Sequence, residues 1–307
     1  MKVLLTGAGG FIGTHLLRLL RQRGIDHVVA GRHRPAGLSN AAFWPIDFLD
    51  ASRDLSWMRA VGATHLVHLA WVTEPGSYWT SPMNQRWVEA SVRFVQSFCL
   101  TGGQHVVAAG SCAEYDWSHP RCEELGTPLK PATVYGAAKN ACRKRLQVLC
   151  AEHGVALAWA RIFFPFGSGE DTRRLLPSLI KALRGVAAPF GVNGETARDF
   201  VHVSDVATAL LAMLQPAASG PYNVSTGEPV RVADIVRLVA RALSADPCPL
   251  LALPCLRDAG PLLLAGDNGR LRSLGWQPAT SLDAAIADTV RACIGDAARD
   301  AVDSHAS

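Results

Sequence analysis

Apolar residues along this chain follow two alternating rhythms. Short apolar runs predict β-strands at residues 2–5, 27–30, 42–45, 65–69, 105–109 and 156–163. Between them lie stretches with apolar positions three and four apart. Residues 11–23 place apolar side chains at 12, 16, 19 and 20 and stop at Gly24, a helix C-cap. Residues 84–100 carry Trp87, Val88, Val92, Val95 and Cys99 at helical spacing, with Ser81-Pro82 as a start signal. Residues 134–151 carry Ala138, Ala141, Cys142, Leu146 and Leu149 in the same way. Strand alternating with helix predicts an α/β fold, a doubly wound parallel (Rossmann) sheet with right-handed crossovers.

The rhythm changes after Phe166. Gly and Pro become denser, and helices expected at 175–184, 205–214 and 232–243 are joined by longer loops. Residues 1–165 are therefore expected to form a dinucleotide-binding domain, with 200–215 returning to it. Residues 166–199 and 216–295 are expected to build a smaller C-terminal substrate-binding lobe, and 296–307 an Ala/Asp-rich frayed tail. The helices at 84–100 and 134–151 carry more apolar surface than one sheet face should consume, so a homodimer is expected.

Composition narrows the setting. Apolar residues make up 49% and charged residues 18% of the 307, an ordinary globular balance. The net charge of +4 comes from scattered residues, not a basic run, which argues against nucleic acid and suits an anionic small molecule. Eight cysteines include no Cys-x-x-Cys pair, and a strand begins at Lys2 with no signal peptide before it; reduced thiols in a cytoplasmic protein are expected. No apolar run reaches the roughly 18 residues of a membrane span. His65 and His68 fall on opposite faces of one strand, so no metal site is expected from them.

The chemistry begins with Gly7, Gly10 and Gly13, which follow a strand and open a helix. Such a turn lets the backbone approach a pyrophosphate, and the helix start offers free N–H groups. The second strand runs into Gly31-Arg32-His33-Arg34, with no acid to accept from a ribose hydroxyl. Arg32 and Arg34 would suit a 2′-phosphate, which favours NADP over NAD; the plainer alternative is a solvated loop. Asp47 is placed either to touch an adenine amino group or to serve a turn. Tyr135 and Lys139 stand one helical turn apart on one face. A nearby ammonium and the cofactor's positive ring are expected to lower the tyrosine's pKa for proton transfer, and Ser111 to hold the substrate oxygen.

With these residues the chain resembles the extended short-chain dehydrogenase/reductases that act on nucleotide sugars. The resemblance runs over nearly the whole chain. It rests on residues 6–13, on Val67-His68-Leu69-Ala70, on Ser111 to Tyr115 and on Tyr135-Gly136 with Lys139. Further along it rests on Arg161-Ile162-Phe163-Phe164-Pro165-Phe166-Gly167, on Arg198-Asp199-Phe200-Val201-His202 and on Tyr222-Asn223-Val224. It implies Ser111, Tyr135 and Lys139 as catalytic residues, and Phe11, Ile12, Leu69, Ala70 and Phe164 beside the cofactor. It also implies Arg198 on the substrate diphosphate, with Cys112 and Leu176 at the substrate. Trp71, Tyr78 and Trp79, with Trp117, could stack on a hexose ring or pack under a loop.

Departures from the family pattern narrow the reaction. Sugar 4,6-dehydratases of the family carry Asp-Glu after the catalytic Ser/Thr; here Cys112 and Ala113 stand there, which disfavours loss of water. Epimerase/reductases that work at carbons 3 and 5 place a catalytic cysteine where Ala113 stands. Cys112 is most simply a small core hydrophobe. The expected function is NADPH-dependent reduction of the C4 keto group of a nucleoside-diphosphate-4-keto-6-deoxyhexose. A nucleotide-sugar 4-epimerase is the alternative, and a non-catalytic NADP-binding sensor the alternative of another class.

Overall fold

The computed structural model describes residues 1–255 and 260–305, with the backbone alone described over 296–305. Seven parallel strands form the main sheet: β1 (Lys2–Thr6), β2 (Asp26–Gly31), β3 (Phe43–Pro45), β4 (His65–His68), β5 (His105–Ser111), β6 (Ala156–Ile162) and β7 (Gly220–Val224). Their order is β7-β6-β5-β4-β1-β2-β3, so the chain winds outward in both directions from between β1 and β4. That point is where an open α/β sheet binds ligands, at the carboxyl ends of its strands.

Period 2 along each strand feeds two cores. Leu4, Leu66, Val106 and Leu157 face helices α2 (Met83–Leu100) and α3 (Val134–Glu152). Val3, Leu5, Val67 and Val107 face α1 (Phe11–Gln22) and a helix at Val203–Ala212. Strands buried on both faces read as continuous apolar runs.

The second lobe packs three helices, Leu175–Leu183, Val232–Leu243 and Leu282–His305, around Leu179, Ile235, Val239 and Ile286. Short strands Ala197–Arg198, Val230–Arg231, Leu263–Gly266 and Arg121–Cys122 join into a small sheet beside it.

Two expectations need correction. Residues 220–224, assigned to the second lobe, are the seventh strand of the main sheet, with Asn223 opposite Arg161. The mixed run Gly-Pro-Tyr-Asn-Val hides this strand from a periodicity reading. The final helix runs to His305, through most of the segment expected to fray; residues 306 and 307 lie outside the described residues. Helices α2 and α3 pack on the sheet and on each other, where Val88, Phe94, Val95, Phe98, Cys142, Leu146 and Cys150 are all buried. Their outward face carries Arg86, Lys144 and the pair Glu89–Arg145, with Val148 as an exposed apolar residue.

Two buried imidazoles give the fold a pH dependence. Burial holds His68 down at about 3 and His105 at about 4, the latter aided by its neighbour His65. Below the ordinary value of 6.5 the unfolded chain therefore takes up protons that the folded chain refuses. Stability should be complete above that value and fall as pH drops toward 4 and then 3. The slope should reach about 1.4 kcal/mol per pH unit for each imidazole. Urea midpoints across this window check the expectation, and His105→Leu should make the fall shallower. A midpoint indifferent to pH would refute it.

Candidate active site

The site is built at the switch point, starting from Thr6. Its hydroxyl oxygen accepts the N–H groups of Leu69 (3.1 Å) and Ala70 (3.2 Å) and bonds His68 Nδ1 at 2.9 Å. His68 Nε2 reaches Ser91 Oγ at 2.9 Å. The ends of β1 and β4 are thus pinned together. His65 stacks instead on His105 of β5, so the two histidines do lie on opposite faces.

The glycine turn sits directly above this pin. Gly7 adopts φ +71°, and a Cβ there would stand 2.8 Å from the Ala70 nitrogen. A Cβ on Gly13 would stand 2.0 Å from the Gly7 carbonyl oxygen, so α1 starts tight against the turn. Gly10 is the N-cap of α1; no side chain caps it and no acid stands in its first turn. The N–H groups at Phe11 and Ile12 are left for an anion. This donor set fits the pyrophosphate of a dinucleotide.

At the end of β2, Arg32 is exposed, and no ion pair or hydrogen bond holds it among the described residues. Arg34 is used within its own loop, donating to the Leu38 carbonyl at 2.9 Å. Asp47 caps a turn by accepting the Leu49 N–H at 3.0 Å, the plainer of its two expected roles.

Ser111 ends β5, and Tyr135 and Lys139 reach it from the first turns of α3. Thr133 caps that helix by accepting the Gly136 N–H at 3.0 Å. A Cβ at Gly136 would stand 2.1 Å from the Ala113 carbonyl oxygen, so glycine is what lets the helix start meet the turn after β5. Ser111, Tyr135 and Lys139 are 8%, 8% and 4% exposed.

Burial pushes the Tyr135 hydroxyl above the ordinary tyrosine value; Tyr78 adds to this, and a hydrogen bond with Ser111 opposes it. The expected lowering by Lys139 is absent from the protein alone. Lys139 Nζ donates to the Ala109 carbonyl at 2.9 Å and lies 3.8 Å from the centre of the Trp71 ring, against 5.8 Å from the Tyr135 ring. Burial lowers Lys139 itself to about 8.

An aromatic wall surrounds the tyrosine. Tyr78 and Trp79 meet the Tyr135 ring edge-on at 4.9 and 5.6 Å, and Trp117 meets Trp79 at 6.2 Å. Trp71 is fixed by its indole N–H on Asn84 (2.9 Å), and buried Asn84 donates to the carbonyls of Tyr78 and Ser81. Arg174 lies over Tyr78 at 5.2 Å, and Arg173 pairs with Glu74, so the segment after Gly167 braces the wall.

The remaining expected residues separate. Arg198 lies over the Phe164 ring at 5.6 Å. Asp199 anchors that pair by accepting from Thr226, Gly227 and Gly266. Cys112 is buried with Tyr115, Cys122 and Phe163, and burial holds its thiol protonated. Leu176, expected at the substrate, is 1% exposed inside the second lobe's core and offers no surface to a ligand.

One residue of this site went unread. Glu114 is fully buried, and its carboxylate accepts from the Ser111 N–H (2.8 Å), the Trp159 indole (2.9 Å) and Arg161 Nε (3.1 Å). With Ser111 Oγ accepting the Ala113 N–H it forms a capping box. Ser111-x-x-Glu114 spells that motif in the sequence.

Residues 3–225 match the model of the NAD dependent epimerase/dehydratase family. The chain belongs to that family. Among relatives, UDP-glucose 4-epimerase of Mycolicibacterium smegmatis is 30% identical over 94% of this chain and 97% of its own length. The dTDP-6-deoxy-L-talose 4-dehydrogenase (NAD(+)) of Aggregatibacter actinomycetemcomitans is 26% identical over 75% of this chain and 86% of its own. Among solved structures, MoeE5 in complex with UDP-glucose and NAD superposes with a TM-score of 0.82 at 26% identity, covering 97% of this chain and all of that one.

The glycine turn gives a direct test. Gly7→Ala adds a Cβ at a left-handed position, costing about 1–2 kcal/mol, and presses it on Ala70. The variant should melt several degrees lower, and its affinity for nicotinamide dinucleotides should fall about tenfold or more. Thermal unfolding and fluorescence titration measure both; unchanged affinity would remove this turn from the cofactor site.

Proposed function

We propose that the protein is an NADPH-dependent reductase of the C4 keto group of a nucleoside-diphosphate-4-keto-6-deoxyhexose. The observation that carries this reading is the composition of the turn after β5. Ser111, Tyr135 and Lys139 gather there, while the two positions after Ser111 are Cys112 and Ala113. Neither is a carboxylate, and Glu114 is sealed behind the turn by Trp159 and Arg161. A site so equipped can pass one proton to one oxygen; it has no second acid and base for removing water.

A bound nicotinamide cofactor supplies the hydride for such a reduction. The chain's own residues do the rest. The Ser111 and Tyr135 hydroxyls hold the carbonyl oxygen, and the buried phenol, kept protonated, donates its proton as negative charge develops there. Lys139 provides a fixed ammonium beside the tyrosine. Arg198, on its Phe164 platform, suits the diphosphate as a planar fork. The relatives' UDP- and dTDP-sugars support a nucleotide-sugar substrate, and the 4-dehydrogenase among them supports chemistry at carbon 4.

NADP is the finer part of the proposal. It rests on exposed Arg32 at the end of β2 and the lack of an acid there; the NAD bound in MoeE5 points the other way. Phosphate–guanidinium pairing contributes roughly 1.5–3 kcal/mol, so NADPH should bind about tenfold or more tightly than NADH. Arg32→Ala should erase the difference. Equal affinities in a fluorescence titration would return the site to NAD.

A 4-epimerase is the second reading, favoured by the UDP-glucose 4-epimerase similarity and needing the same three residues. Turnover separates them. A 4-keto-6-deoxy nucleotide sugar should consume one NADPH per product and yield an alcohol at carbon 4, whereas an epimerase would interconvert 4-hydroxy sugars with no net oxidation. Tyr135→Phe should retain cofactor affinity and lose about 10²–10⁴-fold in turnover. Failure of every 4-keto sugar, on dTDP, GDP, CDP and UDP carriers, to consume NADPH would defeat the reductase reading.

A further inference from the structure

We infer that Glu114 is a positioning residue for proton transfer, its buried carboxylate fixing the Ser111 backbone and supplying the negative charge that faces Lys139. The inference rests on the reading of Ser111, Tyr135 and Lys139 given above.

The geometry is specific. Glu114 is fully buried, three residues beyond Ser111, and bonds the Ser111 N–H at 2.8 Å. The Ser111 hydroxyl completes the capping box on the Ala113 N–H at 3.2 Å. Ser111 therefore cannot rotate its backbone without breaking both bonds. Lys139 is anchored on the same strand, through the Ala109 carbonyl. The negative charge is itself held still, by Trp159 (2.9 Å) and Arg161 (3.1 Å), with Arg143 at 4.0 Å.

A purely structural carboxylate would be neutralised by Arg161 and have no further consequence. Here the surroundings matter. Lys139 is faced by His68 from β4, by Tyr135 and Cys142 from its own helix, and by Glu114 from the turn after β5. Burial keeps His68 and Cys142 uncharged near neutrality. Cys142 and then Glu114 oppose the desolvation that brings Lys139 down to about 8; with the thiol protonated, Glu114 is the charged one of these two. Near that pH, a small change in field decides whether the ammonium persists.

The test is the titration of the Lys139 Nζ resonance in ¹⁵N-lysine-labelled protein without ligand, assigned with Lys139→Arg. In Glu114→Gln the Gln carbonyl can still accept the Ser111 N–H, but the charge is gone. The midpoint should fall by about one pH unit, and turnover at pH 8 should fall about fivefold with little change at pH 6.5. Arg161→Lys disturbs the same network and retains the charge, so it should leave the midpoint in place. Should Glu114→Gln not fold, for want of a partner for Arg161, the double variant Glu114→Gln/Arg161→Gln replaces it and should show the same fall. An unmoved midpoint in the glutamine variants overturns the inference, as does an equal shift in Arg161→Lys or loss of folding in both glutamine variants. The titration needs no substrate, so absence of turnover in the wild type would refute the proposed function while leaving this result to be read.

Discussion

The buried pair Glu114–Arg161 is the interaction on which the rest of this structure depends. Moving two charges out of water costs several kcal/mol each, and only a full set of partners offsets it. Both groups have one. The Glu114 carboxylate takes the Ser111 N–H and the Trp159 indole besides Arg161, while the Arg161 guanidinium also donates to Tyr115 Oη and the Glu124 carbonyl. The pair joins the turn after β5 to the carboxyl end of β6 and makes the turn after Ser111 a rigid element. A loop that must present a hydroxyl to within tenths of an ångström benefits from such over-determination.

The second lobe is attached by the same kind of bracket, beside an apolar seam in which Tyr115 and Phe163 meet Leu264. Tyr115 Oη donates to Asn223, whose amide donates to the carbonyls of Cys122 and Asp267. Asp199 gathers Thr226, Gly227 and Gly266. These buried, satisfied networks hold the Arg198 strand over the carboxyl edge of the sheet. The glycine turn presents backbone, and Trp71, Tyr78 and Trp79 gather with Tyr135 as a separate aromatic group.

The fold was legible because both faces of the sheet are apolar. Runs such as Val3-Leu4-Leu5 and Val106-Val107 can only be central strands once helices cover both sides, and Gly7 and Gly13 announce a close approach that their missing side chains make possible. What escaped the sequence was tertiary in origin. β7 reads as turn residues because its Gly, Pro and Asn are placed by pairing with β6. Position in a motif, which places Leu176, says nothing of which way its side chain turns. The tyrosine's acidity was read from neighbours alone; burial, which no periodicity reveals, outweighed them. Glu114 is legible as the last residue of the Ser111-x-x-Glu114 capping box, while its pairing with Arg161 is set by the packing of β5 on β6.

The late strand β7 has a consequence for how the protein is made. Ser111, Tyr135 and Lys139 leave the ribosome well before residues 220–224, yet the Tyr115–Asn223 bond spans 108 residues of sequence. Contacts of such separation close last, after the entropy of a long loop has been overcome. Until Asn223 arrives, the Tyr115 hydroxyl lacks its acceptor, Glu124 lacks the Asn223 N–H, and β6 is an open edge. A nascent chain therefore carries Ser111, Tyr135 and Lys139 before the frame that aligns them. The geometry proposed for catalysis is completed only at the end of synthesis.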